Sequence, residues 1–485
     1  MKKDAGILMP VLSLPSKYGC GDFGNEAFEF ITKIADIGFT TWQILPLQPL
    51  GYGESPYQPY SSKAMDELYI SLDVLYAQGL IENLEPFNED ADRIDYNSVR
   101  EYRSKYLKEA FYKYEGSDEF WKFASQDWVN NYAIFLTLKK KNDLKSWQDW
   151  NEEEKFYPER HNLDLSKYDE DILYEKFIQY KLYKQWQYLR NYANSKGVKI
   201  MGDVPFYVGL DSDDVWMHKD MFLLDEEGKP TSIAGVPPDS FSATGQRWGN
   251  PIYNWEKIEK DNFNFWCDRL HYASTLYDIT RIDHFRAFST YWKVPASCPT
   301  AMEGEWTKAP GYKFFDELFR RYPDISIVAE DLGDNMDEVY ELRDHFNLKG
   351  MIITQQMFDG HYYGDTLVHQ ICYTGTHDNE PVKAWFEKLD KKHQEEVLKN
   401  LKKAKAINKD FNDAMNTFAM SRSAETVVLP MCDILRLGEE GRINEPGVLK
   451  PENWSWKLKD FKSFDKEANR LKKLLVKFKR NNLIK

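Results

Sequence analysis

Three short segments place a carboxylate beside basic or imidazole side chains: Arg281-Ile282-Asp283-His284-Phe285-Arg286, Ala329-Glu330-Asp331-Leu332-Gly333 and Thr374-Gly375-Thr376-His377-Asp378-Asn379. Two carboxyl groups of unequal acidity are what glycosidic-bond cleavage needs. One attacks or stabilises an oxocarbenium-like centre, and the other, protonated, releases the leaving oxygen. Asp283 suits the ionised role, because Arg281 and Arg286 beside it favour its charged form if they point inward. Glu330 suits the acid, with burial or the charge of Asp283 holding its proton near neutrality. A single acid at the end of a strand is commonly the N-cap of the next helix; three together form a different pattern. His284 and His377 each flank an Asp, which also suits a mononuclear metal centre. The sequence has no His-rich cluster, and that weighs against metal; the other reading is that each imidazole hydrogen-bonds a ligand hydroxyl or a carboxylate.

Each carboxylate motif closes a short β-rich apolar run. Eight such runs occur, at 6–10, 41–45, 199–203, 279–283, 326–330, 351–355, 371–376 and 426–431, separated by loops and helical-period segments. This alternation predicts an α/β fold, a (β/α)8 TIM barrel, with functional residues at the C-terminal ends of the strands. The stretch between the second and third runs exceeds a single crossover, so residues 63–197 are expected to form a mostly helical inserted subdomain. Residues 1–62 then begin the catalytic barrel and 198–485 complete it. Segments 219–255, rich in Gly and Pro, and 436–456 read as long loops over the active-site face. The basic amphipathic stretch 465–480 reads as a terminal helix closing the barrel rather than a membrane-surface helix.

Composition narrows the function classes. The 485 residues are 42% hydrophobic and 29% charged, as in a soluble globular protein. A formal net charge of -14 disfavours nucleic acid and anionic membranes as partners. Five dispersed cysteines without a CxxC pair fit a reducing compartment, so a cytoplasmic protein is expected. No apolar run is long enough to span a bilayer, and the start of the chain only faintly imitates a signal peptide, being interrupted by Asp4 and Pro10. Aromatic residues make up 15% of the chain, an excess that suits ligands with apolar faces and polar edges, such as pyranose sugars.

The motifs taken in order carry a resemblance over nearly the whole chain. They include Leu12-Ser-Leu-Pro-Ser16, Trp42-Gln-Ile-Leu-Pro-Leu47, Ser55-Pro-Tyr-Gln58, Gly202-Asp-Val-Pro205 and Asp214-Val-Trp216. They continue through Gly235-Val-Pro-Pro-Asp239, Gly245-Gln-Arg-Trp-Gly-Asn-Pro251, the three carboxylate motifs, Arg442-Ile-Asn-Glu-Pro-Gly447 and Asn453-Trp-Ser-Trp456. The sequence resembles the amylomaltase (disproportionating enzyme) family of 4-alpha-glucanotransferases, relatives of the α-amylase barrels. The resemblance implies a retaining double displacement on α-1,4-glucans, with Asp283 as nucleophile, Glu330 as acid/base and Asp378 as the transition-state stabiliser. By the same resemblance Arg281, His284, His377 and Asp203 line the donor sugar, Tyr57 is the aromatic platform beneath it, and Trp248 and Asn444 belong to loops overhanging the acceptor side. The sequence departs from the family at Ser240-Phe241, where two aromatic residues are usual; Ser240 cannot stack on a glucose ring, so acceptor gripping is expected to differ.

Transfer and hydrolysis share the carboxylate chemistry and differ only in whether a sugar hydroxyl or water attacks the glycosyl-enzyme. Transfer of α-1,4-glucan segments between maltodextrins is the expected activity. An α-glucan hydrolase is the nearest alternative, followed by a metal-dependent barrel hydrolase and a noncatalytic glucan-binding protein. Transfer needs neither redox chemistry nor phosphate, so no organic cofactor is implied, and without a His-rich cluster no metal is expected. The oligomeric state is left open.

Overall fold

The structure is a computed structural model that describes residues 3–87, 91–238, 242–358 and 365–481. The departure at Ser240-Phe241 lies outside them. Eight parallel strands follow chain order around a barrel: β1 (Asp4–Leu8), β2 (Thr41–Gln43), β3 (Lys199–Pro205), β4 (Ile279–Asp283), β5 (Ile327–Ala329), β6 (Gly350–Ile353), β7 (Gln370–Tyr373) and β8 (Thr426–Pro430). Strand β8 pairs with β1, and a parallel bridge between Val328 and Lys349 joins β5 to β6. All eight predicted runs become barrel strands. Several stop short of the predicted end; the run 326–330 yields only Ile327–Ala329, so Glu330 stands just past its strand.

The strands read as apolar runs because both faces are covered, by barrel interior and by helices. Val427, Val428 and Leu429 of β8 are fully buried, as are Ile200 and Met201 of β3. Gly202 interrupts β3 for a steric reason: a Cβ there would lie 2.3 Å from the Tyr277 ring.

Residues 63–197 contain the helices Leu72–Ala77, Tyr96–Lys113, Asp118–Ala124 and Asp127–Lys141 and end in the long helix Asp169–Ser195. Asp95 caps the second, accepting from the Ser98 N–H, which satisfies one of the free donors of the first turn. The long helix packs against both β3 and the helix Asn25–Ile37, so it also serves as the crossover into β3. It stops at Gly197, whose φ is 74°. That is the left-handed geometry in which helices commonly end.

The terminal helix runs over Lys462–Lys477 and buries Phe464, Leu471 and Leu475. Phe464 meets Phe30 at 5.9 Å between ring centroids, so this apolar face lies on the barrel's outer layer, as predicted. Among the described residues no helix is long and apolar enough to cross a membrane.

The segment 219–255 is not simply a loop. Its strands Ser232–Val236 and Gln246–Pro251 join Thr290–Pro295 and Glu305–Lys308 in a four-stranded antiparallel sheet. The Gly and Pro residues sit at strand ends and turns, as with Gly245 at φ 67°, and two of the four strands come from beyond β4. The second pairing partner of Ser232–Val236, Thr290–Pro295, is therefore not visible within the segment itself.

Candidate active site

Parallel register lines up the first group of polar side chains. Asp203 of β3 lies opposite Arg281 of β4, and Pro205 lies opposite Asp283. Arg281 and Asp283 are two residues apart on one strand and so project from the same face. The Arg281 Nη1 donates to Asp203 Oδ2 at 2.6 Å and to Asp283 Oδ1 at 3.1 Å. The Tyr57 hydroxyl donates to the same Asp203 oxygen at 2.7 Å. Asp203 and Arg281 are 1% and 3% exposed, whereas the Asp283 side chain is 25% exposed at the mouth. Truncating one partner of a buried ion pair strands the other charge. Arg281→Met is therefore expected to destabilise the fold by about 3–5 kcal/mol, read as a lowered urea midpoint; an unchanged midpoint refutes the pair's structural role.

The exits of β4 and β5 are sewn together. Glu330 N–H donates to the Ile282 carbonyl at 3.0 Å, and Phe285 N–H donates to the Glu330 carbonyl at 3.1 Å. The carboxylate of Glu330 accepts from His284 N–H at 2.8 Å and from Leu332 N–H at 3.2 Å. His284 sits at φ 53°, a left-handed conformation that His tolerates better than most residues. Asp331, next in line, accepts the Met351 N–H at 2.8 Å and pairs with Arg343, holding this exit against β6. Glu330 thus reaches the residue following Asp283 through its own carboxylate.

The β7 exit carries His377 and Asp378. His377 Nε2 lies 3.3 Å from Asp378 Oδ2, and the Asn444 amide donates to Asp378 Oδ1 at 2.7 Å. The Asn444 N–H also donates to the His377 carbonyl at 3.1 Å. Tyr57 stacks on the His377 ring at 5.0 Å with 13° between planes. Trp454, at φ 63°, packs against both rings.

Asp283, His284, Asp378, Tyr57, Trp248 and Asn444 line one cleft of about 400 Å³. Trp248 presents its ring edge-on to His284 at 4.8 Å. A reciprocal amide pair holds its strand: Gln58 Nε2 donates to Asn250 Oδ1 at 2.9 Å, and Asn250 Nδ2 donates back to Gln58 Oε1 at 3.2 Å. All ten residues singled out in the sequence therefore converge at this mouth, six on the cleft wall and Asp203, Arg281, His377 and Glu330 bonded or stacked against them. Sequence reasoning passes over Tyr207, Trp454, Gln58 and Asn250, which line the same cleft. Gln58, Asn250 and Trp454 stand inside the motifs quoted above, which is the available signal; Tyr207 stands in none of them.

Electrostatics separate the carboxyl groups. Burial lifts Asp283 to about 6, with Arg281 opposing and the Asp203 and Asp378 charges adding to the rise. Burial lifts Glu330 further, to about 7; Arg281 opposes this and the charge of Asp283 reinforces it. Loss of water and a like charge nearby both disfavour an ionised carboxylate, whereas a cation favours it. For Asp378, burial is outweighed by His377 and the Asn444 hydrogen bond, and its acidity is held at about 2. His377 loses from burial but gains more from Asp378, leaving it raised. Burial and then Arg286 push His284 down to about 4, so it is neutral near pH 7. The arrangement supplies an ionised carboxylate, a carboxyl that keeps its proton longer and a third acid ionised throughout the neutral range. Among the described residues, no three His, Cys, Asp or Glu side chains are grouped to hold a metal ion.

A 4-alpha-glucanotransferase family profile matches residues 9–463. The chain is 39% identical to the 4-alpha-glucanotransferase of Clostridium butyricum over 484 residues, covering 96% of this chain and 98% of that one. It is also 39% identical to the 4-alpha-glucanotransferase of Thermus thermophilus over 477 residues, covering 93% and 94%. The structure superposes on the amylomaltase of Streptococcus agalactiae in complex with acarbose with a TM-score of 0.93 and 32% identity, covering 99% of this chain and 100% of that one. Carboxylates gathered at the strand ends of a parallel barrel and full-length similarity at both levels lead to one conclusion: the chain belongs to the 4-alpha-glucanotransferase family.

Proposed function

We propose that the cleft transfers segments of α-1,4-glucan between maltodextrins by a retaining double displacement, with Asp283 as nucleophile and Glu330 as acid/base. The reading rests on the bond between the Glu330 carboxylate and the N–H of His284, which ties the acid to the residue following the nucleophile. Asp283 attacks the anomeric carbon as Glu330 gives its proton to the departing glycosidic oxygen. A glycosyl ester on Asp283 results. The 4-hydroxyl of an incoming sugar then attacks the same carbon while Glu330 takes up its proton, and the ester bond breaks. The weaker 3.2 Å contact from Leu332 leaves Glu330 Oε1 the freer oxygen for this exchange.

Asp378, fixed by His377 and Asn444, holds sugar hydroxyls and offsets developing positive charge. The Tyr57–Asp203–Arg281 chain orients Asp283 and the aromatic platform. Trp248 with Asn444 bounds the acceptor side, where holding a sugar favours transfer over attack by water. Retention calls for carboxyl groups about 5 to 5.5 Å apart, whereas inversion needs about 6.5 Å or more.

Incubation with maltotriose in EDTA tests this reading. Free glucose and longer dextrins at constant total reducing ends support it; rising reducing ends without longer products make the protein a hydrolase, and activity lost only in EDTA makes it a metal enzyme. The pH profile is a second test. Asp283 must be ionised, so rate is lost as pH falls below about 6; Glu330 must be protonated, so rate is lost as pH rises above about 7. A bell-shaped kcat/KM centred between these limbs is expected, and a plateau extending well into the alkaline range contradicts the assignment of Glu330.

A further inference from the structure

One buried carboxylate outside the cleft holds both ends of the loop that presents His377 and Asp378. Asp433 lies just beyond β8, in the short helix Met431–Ile434, and is 1% exposed. Its Oδ2 accepts the Thr374 hydroxyl at 2.6 Å and its Oδ1 accepts the Val382 N–H at 2.9 Å. Thr374 is the residue immediately after β7, and Val382 begins the helix Val382–Lys388. The segment 375–381 between these anchors contains His377 and Asp378. The same β8 exit later supplies Asn444, which grips Asp378 directly.

The loop is also braced within itself by Thr376 and Asn379, and from the β6 exit by Gln355. The N–H and hydroxyl of Thr376 both donate to Asn379 Oδ1 at 2.9 Å, and Gln355 Nε2 donates to the Glu380 carbonyl at 2.8 Å. With the Asp433 anchors released, the stiffened turn at Thr376–Asn379 can shift as a unit about the remaining Gln355 tie. Burying a carboxyl without a paired cation is unfavourable unless hydrogen bonds offset it. The side-chain bonds found for Asp433 come from a neutral hydroxyl and a neutral amide, and burial pushes the group up to about 6. The two donors it satisfies are the two ends of the loop.

We infer that Asp433 is a positioning residue for the reaction: by clamping Thr374 and Val382 it sets the place of His377 and Asp378 over the donor sugar without touching substrate. The inference rests on the reading of Asp378 as the transition-state stabiliser.

The test compares Asp433→Ala, Asp433→Asn, Thr374→Val and Asp378→Asn on maltotriose, with rates expressed per folded enzyme from thermal melts. A displacement of about 1 Å costs on the order of 10²-fold, so Asp433→Ala is expected to lose kcat by about that factor with KM little changed. Asp433→Asn can accept from Val382 and donate to Thr374, and is expected to recover most of the rate. Thr374→Val removes one anchor and is expected to lose about tenfold in kcat, which keeps the test decisive if the alanine variant does not fold. Wild-type kcat in Asp433→Ala, or in Thr374→Val where the alanine variant does not fold, an asparagine variant as slow as the alanine, or a loss confined to KM overturns the inference. Wild-type rate in Asp378→Asn overturns the underlying reading of Asp378 instead, whereas a dead Asp378→Asn beside a normal Asp433→Ala overturns only the positioning role.

Discussion

Asp283→Asn is expected to lower kcat on maltotriose by about 10⁴-fold or more, the scale of removing a nucleophile from its machinery. Affinity for the oligosaccharide should survive. The amide is isosteric, Arg281 can still donate to its oxygen, and the buried Arg281–Asp203 pair at 2.6 Å is left intact. The cleft therefore keeps its shape while losing the charge that forms the glycosyl ester. Calorimetric titration of maltotriose beside a rate assay checks both halves of the expectation. Retained turnover removes Asp283 from the nucleophile role, and lost binding with an unchanged melting temperature makes it a sugar-holding residue instead.

Glu330→Gln carries the second large effect. Departure of a sugar hydroxyl needs a proton, and losing a general acid costs about 10² to 10⁴-fold, so maltotriose turnover is expected to fall within that range. An α-maltosyl fluoride donor separates the two roles of the residue. Fluoride leaves without protonation, so the C1–F bond breaks as the bond to the Asp283 oxygen forms. Deglycosylation still needs a base to take the acceptor's proton. The variant is therefore expected to release a burst of fluoride and then stall as a covalent ester, visible as added mass on the peptide containing Asp283. Absence of both burst and adduct contradicts the assignment. The 2.8 Å bond from His284 N–H favours the glutamine carbonyl facing that side, which leaves the 3.2 Å Leu332 contact to give way.

The barrel is legible in the sequence because its determinants are local. Most strands are short, largely apolar and buried runs, and Asp283, Glu330 and Asp378 stand at or just beyond strand ends. The small antiparallel sheet is not legible, since strand Ser232–Val236 finds one neighbour in Gln246–Pro251 and another in Thr290–Pro295, well beyond the segment. Asp433 is equally silent: an Asp in the first turn of a short helix after a strand reads as an ordinary helix start.

Residue type and short-range periodicity are enough to place carboxyl groups suited to glycosidic-bond chemistry at strand ends and to order the strands that present them; transfer and the role of each carboxylate come from the family resemblance. Folding alone settles which groups hold the carboxylates in place: His284 N–H on Glu330, the Arg281 fork between Asp203 and Asp283, Asn444 on Asp378, and the Gln58–Asn250 amide pair beside Trp248. Most of these bonds join residues distant along the chain, so no local pattern encodes them. Their geometry, and with it the burial that raises both Asp283 and Glu330, exists only once barrel register and packing are established.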